Sequence, residues 1–251
     1  MAMGAAVPAV AAAVAADGVL TFLWVLCVST LGASTVAVTS YLSLQQEGIH
    51  ALLVTFSVLS VLLFAFNLLC DELASFNPTA VAAFHAAGAV LTGRHDSSSF
   101  FIVALRFPAQ ALSAVGGAVV ISELMPEQYR VYRHMLGGLS LKVDPHTGAI
   151  AELVLAFTIP LAVLWIIVKG PRNPIIKTGM LSISTVSVVL SGAAYTGAPS
   201  MNPVNAFGWP NVNSRYSMWE QFYVYWICPF AGAVLAEWVF SLQGPVPSTG
   251  T

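Results

Sequence analysis

Two asparagine-proline pairs, Asn77-Pro78 in SFNPTAVAAF and Asn202-Pro203 in SMNPVNAFGW, stand 125 positions apart in otherwise apolar sequence. Asparagine carries amide donors and is a preferred helix N-cap, and proline is favoured at the first helical position, so each pair reads as a helix start with donors gathered at its tip. A helix start also presents unpaired backbone N–H groups and the positive end of its dipole. Two such tips facing one another would repel cations and hydronium while offering hydrogen bonds to a small neutral acceptor such as water. That chemistry is selection and passage, with no covalent step. The sequence has no nucleophile placed with a base, no metal-ligand spacing and no phosphate loop, so no enzymatic activity, cofactor or metal is expected.

The elements that position these tips must lie in a membrane. Hydrophobic residues make up 57% of the 251 residues and charged residues only 8%, against about a quarter charged in soluble domains. With a mean hydropathy of +0.81, lipid must solvate most of the surface. The net charge of −2 provides no basic face for nucleic acid. Cys27, Cys70 and Cys228 sit in apolar runs without CxxC or metal spacing and read as small buried hydrophobes. The N-terminal stretch lacks the positive region of a signal peptide, so the first span is expected to remain as an anchor.

A bilayer core of about 30 Å needs about 20 apolar residues in a helix. Runs of that length fall at 17–39, 50–70, 99–122, 148–169, 175–194 and 219–241. Between the second and third, 78–88 is apolar but as a helix covers only about 15 Å, half a membrane. The piece 203–209 takes the corresponding place between the fifth and sixth, and Pro210 is expected to leave it shorter than the first. Three spans and a half-span therefore occur twice. Asp17 in DGVLTF matches Glu152 in ELVLAF near the start of each half, and Pro108 matches Pro229 near its end. Because three is odd, the second copy enters the membrane inverted. The expected fold is an all-α membrane protein with six transmembrane helices and two re-entrant half-helices that meet at mid-depth. It forms one channel domain over 1–251, with inverted repeats at about 17–122 and 148–241.

The stretches SFNPTAVAAF, HTGAIAE, YTG at 195–197, SMNPVNAFGW and WEQFYVYWICPF resemble the aquaporin, or major intrinsic protein, family. More narrowly, the chain resembles the first subgroup of the plant small basic intrinsic proteins, from about Asp17 to Val239. The resemblance implies water permeation, a homotetramer with one pore per protomer, cytosolic termini and residence in the endoplasmic reticulum membrane. By it, Asn77 and Asn202 match the pore asparagines, Pro78, Thr79, Pro203 and Val204 complete the two boxes, and Asp17 and Glu152 match acids that brace the pore loops. At the selectivity constriction Asn205 stands where most aquaporins have arginine, Val189 and Pro199 supply two further positions, and Ser57 falls near the last. Losing a guanidinium removes a fixed charge and a fan of donors, so this constriction is expected to be neutral and apolar, with cation exclusion left mainly to the central helix dipoles. Glycerol, hydrogen peroxide and ammonia are then alternative permeants. A closed pore with an organising role in the endoplasmic reticulum membrane is a further alternative. The chain ends FSLQGPVPSTGT without a basic residue, where related proteins usually end in a lysine-rich tail.

His85, eight residues past Asn77, reads either as a pore-lining pH sensor or as a packed helix member. His50, His95, His134 and His146 fall at span ends or in loops. Arg106 and Glu237 are charges inside apolar spans and are expected to pair or to reach the interface, Glu237 being near the end of its span. Trp219, Tyr223, Tyr225 and Trp226 read as an interfacial aromatic belt. Lys169, Arg172 and Lys177 after the fourth span are balanced by Arg130, Arg133 and Lys142 after the third, so charge alone leaves the orientation open.

Overall fold

In hydrocarbon only a helix or a closed barrel pairs every backbone group, and the long apolar runs of this chain all take the helical solution. The computed structural model describes residues 2–69, 74–83, 97–133, 141–196, 200–213 and 217–242, so Cys70, His85, His95, His134 and Pro199 lie outside the described residues. The helices are α1 (Ala2–Val28), α2 (Leu31–Tyr41), α3 (Ile49–Leu69), α4 (described over 78–83), α5 (Ser97–Leu124), α6 (Pro145–Lys169), α7 (Pro174–Thr196), α8 (Pro203–Asn213), α9 (Met218–Phe222) and α10 (Cys228–Ser241). A 3₁₀ turn occupies Glu127–Tyr132 and a π turn joins α9 to α10 over Tyr223–Ile227. Among the described residues six segments are long and apolar enough to cross a membrane: Val10–Val28, Ile49–Leu69, Ala104–Leu124, Pro145–Lys169, Pro174–Thr196 and Tyr223–Ser241.

The first span corrects the expected 17–39. It begins earlier and stops at Val28, because the hydroxyls of Ser29 and Thr30 turn back onto the carbonyls of Val25 (2.6 Å) and Cys27 (2.7 Å). Such local bonds compete with the helical ladder, and the chain restarts as α2 after a tight turn. Pro210 does not end the second short helix either, since α8 runs through it to Asn213. A proline forfeits one backbone bond to the preceding turn, and packing of α8 against α5 holds the helix together across that loss. At the start of α6, Asp144 accepts from the amides of His146 and Thr147 and from the Thr147 hydroxyl at 2.6 Å, with Pro145 at the first turn. The Thr147 hydroxyl first, and then the Thr147 amide, hold this exposed carboxyl below its usual range.

Helices without a hydrophobic drive to associate in lipid depend on close backbone approach. The two most extensive seams, α1 with α5 and α6 with α10, both have it. A methyl added at Gly117 would stand 2.8 Å from the Phe22 carbonyl oxygen, and one at Gly232 would overlap the Leu153 carbonyl oxygen outright. Since backbone on both sides has no rotamer by which to yield, Gly232→Ala is expected to destabilise the protein by about 1–3 kcal/mol in detergent unfolding titrations. An unchanged midpoint would show that α6 and α10 separate freely.

Candidate functional site

The two asparagine-proline helix starts lie side by side. Asn77 Nδ2 donates to the Met201 carbonyl at 3.2 Å and Asn202 Nδ2 donates to the Phe76 carbonyl at 2.9 Å, so each amide reaches the residue just before the opposite asparagine. The carbonyl oxygens of the same side chains cap their own helices. Asn77 Oδ1 accepts from the Thr79 amide at 3.0 Å and from its hydroxyl at 2.8 Å, and Asn202 Oδ1 accepts from the Val204 amide at 3.2 Å. One amide hydrogen of each asparagine is therefore spent across the junction. The other remains for whatever occupies the adjacent space.

Two buried acids hold the loops from behind. Glu152 of α6, fully enclosed, accepts from the Ser200 amide at 2.7 Å and the Met201 amide at 2.8 Å. Asp17 of α1, equally enclosed, accepts from the Ser75 amide at 2.7 Å. Its shorter side chain takes one loop amide where glutamate takes two, and its remaining capacity goes to Arg106, whose Nε and Nη2 donate at 2.6 and 2.7 Å, and to Gln110 Nε2 at 3.1 Å. Arg106 thus pairs inside the membrane, the first of its two expected outcomes. Among the described residues Glu152 has no such cation.

Beside the junction lies a cavity of about 100 Å³ bordered by Asn77, Thr79, Asn202, Asn205 and Val189. At roughly 10–15 Å³ per water it has room for several. Most of the remaining wall is apolar, from Leu59 and Leu63 of α3, Ile159 and Val163 of α6, and the rings of Trp24 and Phe76. Ser57 is not part of it, which corrects its placement at the constriction. Leu59 and Leu63, four apart on one helix face, point at the cavity, whereas Ser57 is exposed on another face and its hydroxyl bonds back to the Leu53 carbonyl at 2.8 Å. Val204 is wholly buried in the core rather than on the wall. Trp24 was not singled out in the sequence, where a tryptophan within a span reads as core or belt; here its indole Nε1 donates to Asn205 Oδ1 at 2.9 Å across 181 positions.

Two further expectations change. Glu237 is enclosed by protein instead of extending outward: it is only 7% exposed, and its Oε1 is buried without a hydrogen-bond partner among the described residues. Tyr225 leaves the aromatic belt, since the π turn carries it to complete burial, while Trp219 stays 63% exposed and stacks on Tyr223 at 5.2 Å. His146, in the first turn of α6, lies 3.3 Å from the Tyr223 hydroxyl. No group of three or more metal-ligating side chains occurs among the described residues.

The model of the major intrinsic protein family matches residues 5–240. The chain is 74% identical to a protein of Oryza sativa subsp. japonica named Aquaporin SIP1-1, over 97% of this chain and 96% of that one. It is 71% identical to Aquaporin SIP1-2 of Zea mays, over 96% and 93% of the two chains. Among solved structures, the aquaglyceroporin from Plasmodium falciparum superposes with a TM-score of 0.64 at 14% identity, covering 91% of this chain and 96% of the other, which bears on the fold alone.

Proposed function

The chain belongs to the major intrinsic protein family, whose members are channels and not enzymes, and from that premise we propose that it conducts water passively across a lipid bilayer. The observation that carries the reading is the pair of helix starts set against one another beside a cavity wide enough for water. There Asn77 and Asn202 each keep one N–H for a passing oxygen, and the two positive helix ends oppose any cation at the same depth. Thr79, Pro78, Pro203 and Val204 shape this junction, and Asp17 and Glu152 brace it. We read the two halves as an inverted repeat, because the reciprocal asparagine bonds and the two acids behind the loops are what such a duplication produces. Among the described residues, Asn205 and Val189 form the constriction. A homotetramer in the endoplasmic reticulum membrane completes the proposal.

A second reading has its own support. With Asn205 in place of a charged side chain and Val189, Leu59 and Leu63 on the wall, the cavity is greasier than a strict water path requires, which favours another small neutral solute such as glycerol, hydrogen peroxide or ammonia. Purified protein in liposomes separates the two. Osmotic shrinkage faster than that of empty vesicles, with a low activation energy, is the expected result. Swelling in a solute gradient without fast shrinkage would move the assignment to the second reading, and neither response would leave a non-conducting organiser of the membrane.

A further inference from the structure

Resting on the channel reading, we infer that Trp24 is a specificity-determining residue. It orients the amide of Asn205 so that this side chain offers its N–H donors, and not its carbonyl oxygen, to whatever passes. An indole N–H only donates, so the atom 2.9 Å away must be the Asn205 carbonyl oxygen and the amide nitrogen is what remains for the cavity. Among the described residues that nitrogen has no protein acceptor, although Asn205 is only 4% exposed and borders the cavity. The lock is itself held. Trp24 stacks on Phe76 at 4.5 Å and 29° and meets the edge of Phe66 at 5.2 Å and 79°, contacts that favour this orientation of the indole.

The orientation matters because a neutral amide selects only by the end it presents. Turned the other way, Asn205 would offer a carbonyl oxygen, which welcomes hydronium and ammonium-like cations. Turned as it is, it presents the positive end of the amide dipole and favours neutral acceptors. The excluding role that a fixed charge would serve is met here by a dipole whose direction another helix sets.

The test uses Trp24→Phe, which keeps an aromatic ring beside Phe76 and Phe66 and removes the N–H together with the second ring of the indole. One ordinary hydrogen bond biases a two-state rotamer by about five- to tenfold, so the ratio of proton flux to water flux, both measured in the same liposomes, should rise about fivefold over wild type. Asn205→Asp, which keeps an acceptor for the indole and adds an acceptor on the cavity side, should raise that ratio as well. An equal ratio in wild type and Trp24→Phe overturns the inference. That includes a parallel rise in proton and water flux, which would mean a widened path. A readout independent of conduction is the indole N–H band in ultraviolet resonance Raman spectra: Asn205→Val should shift it for one of the six tryptophans. If wild-type vesicles shrink no faster than empty ones, the channel reading fails, and the Raman shift alone then supports or overturns the lock.

Discussion

Arg106→Met is expected to cost about 3–5 kcal/mol of folding stability, the range for removing one partner of a buried charge pair. The Asp17 side chain is fully enclosed and that of Arg106 is 13% exposed, with the guanidinium gripping both carboxylate oxygens. Without the guanidinium, a carboxylate would be left in a low-dielectric setting with only Ser75 and Gln110 as donors. The control is the double variant Asp17→Asn with Arg106→Met. An asparagine oxygen still accepts from the Ser75 amide, and no charge is stranded, so most of the lost stability should return. Unfolding by a chaotropic detergent, followed by far-ultraviolet circular dichroism, measures all three proteins. A double variant no more stable than Arg106→Met would show that the arginine acts by filling space and not by balancing Asp17.

That pair also shows where sequence reasoning runs out. Six spans were legible because about 20 apolar residues can hardly do anything else in lipid, and all but the first lie within a few residues of where the runs place them. The interruption at Ser29 and Thr30 was not, since hydroxyls within a span bond back to the helix far more often than they break it. Pro210 misled in the opposite sense, because a single forfeited bond is cheap to a helix packed along its length. Ser57 and Leu59 are two residues apart and differ by more than half a turn, so placing α3 without a fixed phase could not decide which faced the cavity. That a charge such as Arg106 inside a span needs a partner follows from physics, but that the partner is Asp17, 89 positions away, requires the fold. The Trp24–Asn205 bond, like the exchange between the two asparagine loops, is purely tertiary.

The exchange between the loops is not symmetric, and the asymmetry predicts unequal mutants. In the first box the Thr79 hydroxyl stands 2.8 Å from Asn77 Oδ1 and 3.3 Å from the Met201 carbonyl, so when Asn77 is replaced by valine the hydroxyl is free to turn wholly to Met201. In the second box the equivalent residue, Val204, has no hydroxyl with which to reach Phe76. Both substitutions leave an amide uncapped, that of Thr79 or that of Val204, but only Asn202→Val also strands a carbonyl, that of Phe76. Each buried group left unpaired costs about 1–3 kcal/mol, enough to shift or narrow the junction, and about 1.4 kcal/mol of added barrier is tenfold in rate. Water permeability per protein in stopped-flow shrinkage should fall about tenfold or more for Asn202→Val but only a few-fold for Asn77→Val. Adding Val204→Thr to Asn202→Val should recover part of the loss, because the new hydroxyl stands where Thr79 stands in the first box. If Asn77→Val proves the more damaging of the two, or if Val204→Thr restores nothing, then the two loops do not hold one another through these carbonyls, and the reciprocal bonds do not set the width of the water path.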